Sequence, residues 1–249
     1  MHHSNQSASS YRAETIPIVL TGTIIPNGVV TPISNAEARR AEYLRSIRFY
    51  LKFAPVYFLE NSCYPLQEDP DFRETERFHV RQFEPSKTPE RGKGYQEFEM
   101  LDTWIESEAS LPDRWLKSTG RYQFLNMADF LSECHSRRET SLLIDQIPRS
   151  KLARTHIFSP TTAFYKQWLI GLYKKCDDRN GDWVERMMFR TLCNVPRNEV
   201  KAFAHQARLL AISGSTGDAF PSSRGQWLVK QTLRSLNRLI DQRYLWFPK

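Results

Sequence analysis

A lysine set between two glycines, Gly92-Lys93-Gly94, stands where the stretch RGKGYQEFEMLDTW (residues 91–104) turns into a helical pattern. Tyr95, Phe98, Leu101 and Ile105 share one face, while Glu97, Asp102 and Glu106 fall elsewhere. The first turn of a helix presents free backbone N–H groups and partial positive charge. A neighbouring lysine adds a full charge, and glycines let backbone come close to a ligand, so the corner suits a phosphate. It matches neither G-x-x-x-x-G-K-[ST] nor G-x-G-x-x-G, and a tight turn with a solvated lysine is the competing reading. A second cation, Arg121, follows Thr119 and Gly120 in a turn. Its planar fork suits either phosphate oxygens or a structural ion pair.

The elements that must hold these groups can be read from the hydrophobic pattern. IPIVLTGTI (16–24) is a continuous β-branched run, as expected of a strand buried on both faces of a parallel sheet. Ser34 or Asn35 then caps a helix over residues 36–53, with Tyr43, Leu44, Ile47, Tyr50 and Leu51 at helical spacing, and PVYFLENS (55–62) is a second buried strand. Strand, helix and strand of these lengths form a right-handed βαβ unit. Its two strand ends then bring Thr21-Gly22-Thr23 and Glu60-Asn61-Ser62 to one edge of the sheet, where open α/β sheets bind ligands. Glu60 is placed there to accept hydrogen bonds from a ribose or base, although both triplets also read as ordinary loop starts.

Further along, residues 64–92 predict a long loop with a short strand near 78–83, and 114–126 a strand running into the Thr119-Gly120-Arg121 turn. Residues 128–138 read as a helix, 141–147 as a strand, 148–155 as a basic loop, and 156–176 as a short strand plus a helix with Phe164, Trp168 and Leu172 in the core. Met187, Met188 and Phe189 sit at packing positions of a last helix in the main body.

The chain has 249 residues, 40% of them hydrophobic, enough for one sizeable α/β core. Its first residues lack the apolar segment of a signal peptide, and no run approaches the roughly 18 apolar residues of a membrane span, so a cytoplasmic protein is expected. Four well-separated cysteines form no C-x-x-C pair and predict free thiols. A formal net charge of +7 favours an anionic partner without naming it.

Four segments taken in order resemble a family of glycosyltransferases of bacterial surface polysaccharide synthesis. They are Thr21-Gly22-Thr23-Ile24, Glu60-Asn61-Ser62, Gly92-Lys93-Gly94-Tyr95-Gln96-Glu97 and Lys117-Ser118-Thr119-Gly120-Arg121-Tyr122, matching strand ends in T-x-I and E-N-S, then G-K-G-Y-G-E and K-x-T-G-R-Y. Order and spacing agree over about residues 16–190, except that Gln96 replaces a glycine and Ala153-Arg154-Thr155-His156 stands where the family tends to carry an acid. The resemblance implies a GT-A-like Rossmann-type α/β sheet flanked by helices. It implies an enzyme that moves a sugar from a nucleotide-sugar to a glycan or lipid-linked acceptor.

That chemistry needs a nucleoside clamp, positive charge on the departing diphosphate and, for inversion, a carboxylate to deprotonate the acceptor. No Asp-x-Asp pair falls on a strand end: Asp69-Pro70-Asp71 lies in a proline-rich loop and Asp177-Asp178 follows a helix. A metal-independent site is therefore expected, with Lys93, the adjoining helix N-terminus and Arg121 on the phosphates and with Glu97 nearby. The family's habit of placing the base late in the domain points to Glu185 first and Asp182 second, with Glu97 and Asp145 as competitors.

Residues 1–14 read as a disordered tail, 15–212 as the nucleotide-sugar-binding domain and 213–249 as a C-terminal amphipathic segment. Leu228, Leu236 and Leu239 give that segment an apolar side, with Lys230, Arg234, Arg238 and Arg243 for charge and Tyr244, Trp246 and Phe247 at its end. It suits the inner face of a membrane, or packing on its own domain or a second subunit. Nucleic acid is not expected as a partner, because no RNP, KH or zinc-finger pattern accompanies the charge. A sulfotransferase would need an early phosphate loop that IPNGVV does not resemble.

Overall fold

A computed structural model describes residues 15–26, 35–210 and 223–247; the expected tail 1–14, residues 27–34 and the expected 212/213 boundary lie outside them. In chain order the elements are β1 (Ile18–Gly22), α1 (Ala36–Tyr50), β2 (Val56–Glu60), β3 (Phe78–Gln82), α2 (Lys93–Ser107), β4 (Leu116–Thr119), β5 (Gln123–Phe124), α3 (Met127–Ser136), β6 (Leu142–Ile147), β7 (Leu152–Pro160), the single turn α4 (Thr162–Phe164), α5 (Val184–Leu192), β8 (Val200–Lys201), β9 (Leu209–Leu210) and α6 (Arg224–Ile240).

Seven strands form one mixed sheet in the order β3-β2-β1-β4-β7-β6-β8, and β5 pairs with β9 apart from it. β1 is parallel to both β2 and β4, whereas β7 runs antiparallel to its neighbours β4 and β6. Strands buried on both sides alternate between two cores: Val19 joins α2 and α5 residues on one face, while Ile18 and Leu20 join α1 and α3 residues on the other. This is the Rossmann-type α/β class, a main sheet flanked by helices. Asn35, whose side chain accepts from the Ala38 N–H (2.9 Å), caps α1 as the sequence allows.

Three expectations need correction. Residues 114–126 are two strands in two sheets, because the turn at 120–122 sends β5 out to meet β9. The basic stretch 148–155 is not a loop throughout: β7 begins at Leu152, where Ala153 and Thr155 alternate inward with Leu152 and Arg154 at the outer positions. The helix expected after it breaks into α4, a π turn (Tyr165–Leu169) and a 3₁₀ turn (Leu172–Lys175), with Phe164 and Leu172 buried and Trp168 half-buried.

No residue of α6 belongs to either core cluster among the described residues. Its inward side is polar. Arg234 and Asn237 are its buried residues, and Arg234 forks onto Asp145 of β6 with contacts of 2.8 and 2.7 Å. Leu228, Leu236 and Leu239 face away and are exposed.

Candidate active site

The C-terminal ends of β1 and β4 meet the first turns of α1, α2 and α5 around a cleft of about 620 Å³, a size typical of small-molecule sites. Among the residues singled out from sequence, Thr21, Gly22, Thr23, Lys93, Gly94, Glu97, Thr119, Arg121 and Glu185 line it. Glu60, Asn61, Ser62, Gly92, Gly120 and Asp182 are not part of the lining.

The Glu60-Asn61-Ser62 triplet instead braces the segment after β1. The buried Glu60 carboxylate accepts from the Ile24 N–H and the Ser62 N–H, both at 2.9 Å, and from the Ser62 hydroxyl. Asn61 Oδ1 accepts from the Thr23 hydroxyl (2.6 Å), and Ser62 Oγ from the Ile25 N–H (3.1 Å). Burial pushes the Glu60 carboxyl above its usual pKa, against these hydrogen bonds. The triplet thus shapes the floor of the cleft from behind. Gly120 has a similar supporting place, its N–H donating to the Thr21 carbonyl at 2.9 Å.

At the Gly-Lys-Gly corner the glycines make room for protein. Gly92 has φ +111°, and a Cβ there would lie 2.0 Å from Asp178 Oδ2. A Cβ on Gly94 would lie 2.5 Å from Val184 Cγ1. The segment 178–184 therefore packs tightly on the start of α2, with the Asp178 carboxylate accepting from the Lys93 backbone N–H. Part of the helix N-terminus predicted to be open to phosphate already holds a carboxylate, which burial pushes above its usual pKa.

Three cations converge in the cleft. Burial first, then Arg39 and Arg121, hold the Lys93 ammonium below its ordinary pKa. Arg121 Nη1 contacts Glu42 Oε2 at 2.7 Å, so this residue is an ion-pair partner that also lines the cleft. Arg39 was not foreseen. Its Nε donates to the Thr23 carbonyl at 2.7 Å, and its guanidinium lies over the Tyr43 ring. The available signal was its position in the first turns of α1, which the βαβ unit brings to the same edge as Thr23.

The acids are arranged around a buried lysine. Lys117 Nζ, with a side chain 0% exposed, contacts Glu97 Oε1 at 2.7 Å and donates to the Thr155 carbonyl at 2.9 Å. Thr21 donates to the same Glu97 oxygen at 2.5 Å. Glu185, half-buried in the first turn of α5, accepts from its own backbone N–H and, at 3.4 Å, from the Thr155 hydroxyl. Burial, reinforced by Glu97, raises its pKa above the ordinary glutamate value. The other acids considered for the same role are engaged elsewhere: Asp182 faces Arg190 (3.3 Å), and Asp145 lies under α6, clasped by Arg234. Trp183, 44% exposed, also lines the cleft. The available signal was its place two residues before Glu185 in NGDWVE.

The paired acids that the sequence offers are engaged by arginines. Asp69 is held by Arg40 (2.6 Å) and Tyr64 (2.6 Å), which bring its carboxyl down to about 2, and Asp71 contacts Arg40 and Arg48. Asp177 is clasped by Arg179. At 153–156 the carbonyl of Thr155 receives Lys117, and His156, stacked on Phe124, is pushed down to about 3 by burial and then by Arg154. Among the described residues no group of three or more His, Cys, Asp or Glu is placed to hold a metal ion.

No family model matches the sequence, and no curated protein matches it. Among solved structures the chain is similar to HddC from Yersinia pseudotuberculosis, with 11% identity, 79% of this chain and 93% of that one covered, and a TM-score of 0.41. It is likewise similar to mouse xyloside xylosyltransferase 1 in its apo form, with 9% identity, 74% and 83% covered, and a TM-score of 0.41. At such identities and scores no functional argument rests on either likeness.

Proposed function

We propose that the chain is a nucleotide-sugar-dependent glycosyltransferase that needs no metal and passes a sugar to a glycan or lipid-linked acceptor, as in bacterial surface polysaccharide synthesis. The observation that carries this reading is the gathering of Arg39, Lys93 and Arg121 in one cleft with a half-buried carboxylate, Glu185, that no cation clasps among the described residues. Three cations suit the charge that builds on a diphosphate as its bond to the anomeric carbon breaks. Glu185 takes the proton of the acceptor hydroxyl as that oxygen bonds to the anomeric carbon, and the electron pair of the broken bond leaves with the diphosphate. Glu97, fixed by Lys117 and Thr21, has the geometry to orient the sugar hydroxyls. Trp183 offers a ring face to the sugar or base.

The raised pKa of Glu185 sets the sign of the pH dependence. A base must be deprotonated, so turnover rises with pH through a value above the usual glutamate range and is lost below it. Thermal-shift screening against UDP-, GDP-, CMP- and dTDP-sugars, with and without manganese, tests donor binding. Arg39→Ala and Lys93→Ala should each weaken nucleoside diphosphate binding. Glu185→Gln should lower turnover by roughly 10²–10⁴-fold while leaving that binding intact. Stabilisation that required manganese would overturn the metal-free mechanism, and full turnover in Glu185→Gln would remove the base.

A further inference from the structure

Six of the eleven exposed large hydrophobic side chains among the described residues lie on α6. At 3.6 residues per turn Leu228, Val229, Leu233, Leu236, Leu239 and Ile240 fall within an arc of about 140°. All six are exposed, Leu239 to 84% and Ile240 to 68%. Trp246 and Phe247 extend the same region: their backbone N–H groups donate to Asn237 Oδ1 at 2.7 and 3.3 Å, which holds them against the end of the helix, and both rings are exposed. The side turned to the protein is fixed by polar contacts. Arg234 donates to Asp145, to the Phe203 carbonyl and to Gln206 Oε1, and Trp227 Nε1 and Gln231 Nε2 donate to the carbonyls of Gln206 and Ala204. Rolling the helix over to bury its leucines would leave Asp145 buried without its partner, so the apolar face is held outward.

Charge decides what can cover that face. From Arg224 to Ile240 the helix carries Arg224, Lys230, Arg234 and Arg238 and no acidic residue. Arg224 and Lys230 are exposed and fall on opposite margins of the apolar arc. A second copy docking helix to helix would set two all-cationic helices side by side, with no acid on either to pair with the margins. An apolar stripe bordered by cations, with Trp and Phe at its end, is instead matched to a surface that is apolar within and anionic at its boundary.

We infer that α6 docks the protein flat onto an anionic lipid bilayer, its leucine stripe and Trp246-Phe247 in the acyl boundary and Arg224 and Lys230 among the headgroups. The inference stands apart from the reading of the cleft, since none of these residues lines it. Co-sedimentation of the full chain with vesicles tests it, using phosphatidylcholine alone and equal parts phosphatidylcholine and phosphatidylglycerol, with light scattering to give the oligomeric state. Wild type should bind the anionic vesicles at least roughly tenfold more tightly than the neutral ones, and added salt should reduce the difference. Leu236→Gln with Leu239→Gln should weaken vesicle binding by about tenfold or more while leaving the thermal unfolding midpoint within a degree or so of wild type. Should that variant not fold, Arg224→Glu with Lys230→Glu, on two exposed side chains, should abolish the preference for anionic vesicles. No binding, equal binding to both vesicle types, or binding unaffected by either variant would overturn the inference. So would a wild-type dimer that the leucine variant converts to monomer, because a second copy would then be the occupant.

Discussion

Helices α2 and α6 are of similar length, 15 and 17 residues, and each has one apolar side, yet they are turned opposite ways. α2 sends Phe98, Leu101, Trp104 and Ile105 into the core. α6 sends Arg234 and Asn237 in and its leucines out. The hydrophobic effect favours the first arrangement by about 25 cal/mol per Å² of apolar surface buried. The second persists because a carboxylate already buried on β6 demands a cation. Burial alone would raise the Asp145 carboxyl, but Arg234, with help from Arg154, brings it below its usual value. Periodicity reveals that a helix has two sides; the partners buried beneath it decide which side faces in.

Three substitutions can break or sharpen this contrast. Trp104 is fully buried and packs edge-on against Trp115 (5.3 Å) and beside Tyr57 (5.8 Å). Trp104→Ala should therefore lower stability by about 3–5 kcal/mol in urea unfolding. Arg234→Leu should lower it by about 3 kcal/mol, although it makes α6 more apolar, because Asp145 keeps its charge without a partner. If that variant were as stable as wild type, the leucines and not the ion pair would be setting the helix orientation. Leu239→Gln should change stability by no more than about 0.5 kcal/mol, since an 84% exposed side chain has little to lose. A drop of core size at Leu239 would mean that its face is covered in solution.

Much of the sheet was legible because buried parallel strands leave unbroken runs: residues 16–24 and 55–62 became β1 and β2 with Gly22 opposite Glu60. α2 was legible for the opposite reason, its period of 3.6 starting where the sequence shows Gly-Lys-Gly. β7 was missed because its half-buried Arg154 sits among other basic residues, and charge masked a period of two over its first residues. Within the site, Lys93, Glu97, Arg121 and Glu185 were singled out by residue type beside a turn or helix start, and the fold brings all four to one cleft. Glu60 and Asn61 looked alike in sequence to these, but they are turned to the Ile24 N–H and the Thr23 hydroxyl of a neighbouring segment, a distinction that only tertiary contacts make. Arg39 and Trp183 carry no motif. Their contribution comes from where the ends of α1 and α5 are delivered.

The seam at the start of α2 has a mechanical consequence. Gly94 touches Val184, the residue before Glu185, and Gly92 abuts Asp178, so the wall with the cations and the wall with the carboxylate meet at two missing methyl groups. One methyl added at either position would work as a wedge, prising the walls apart and widening the gap between Lys93 and Glu185.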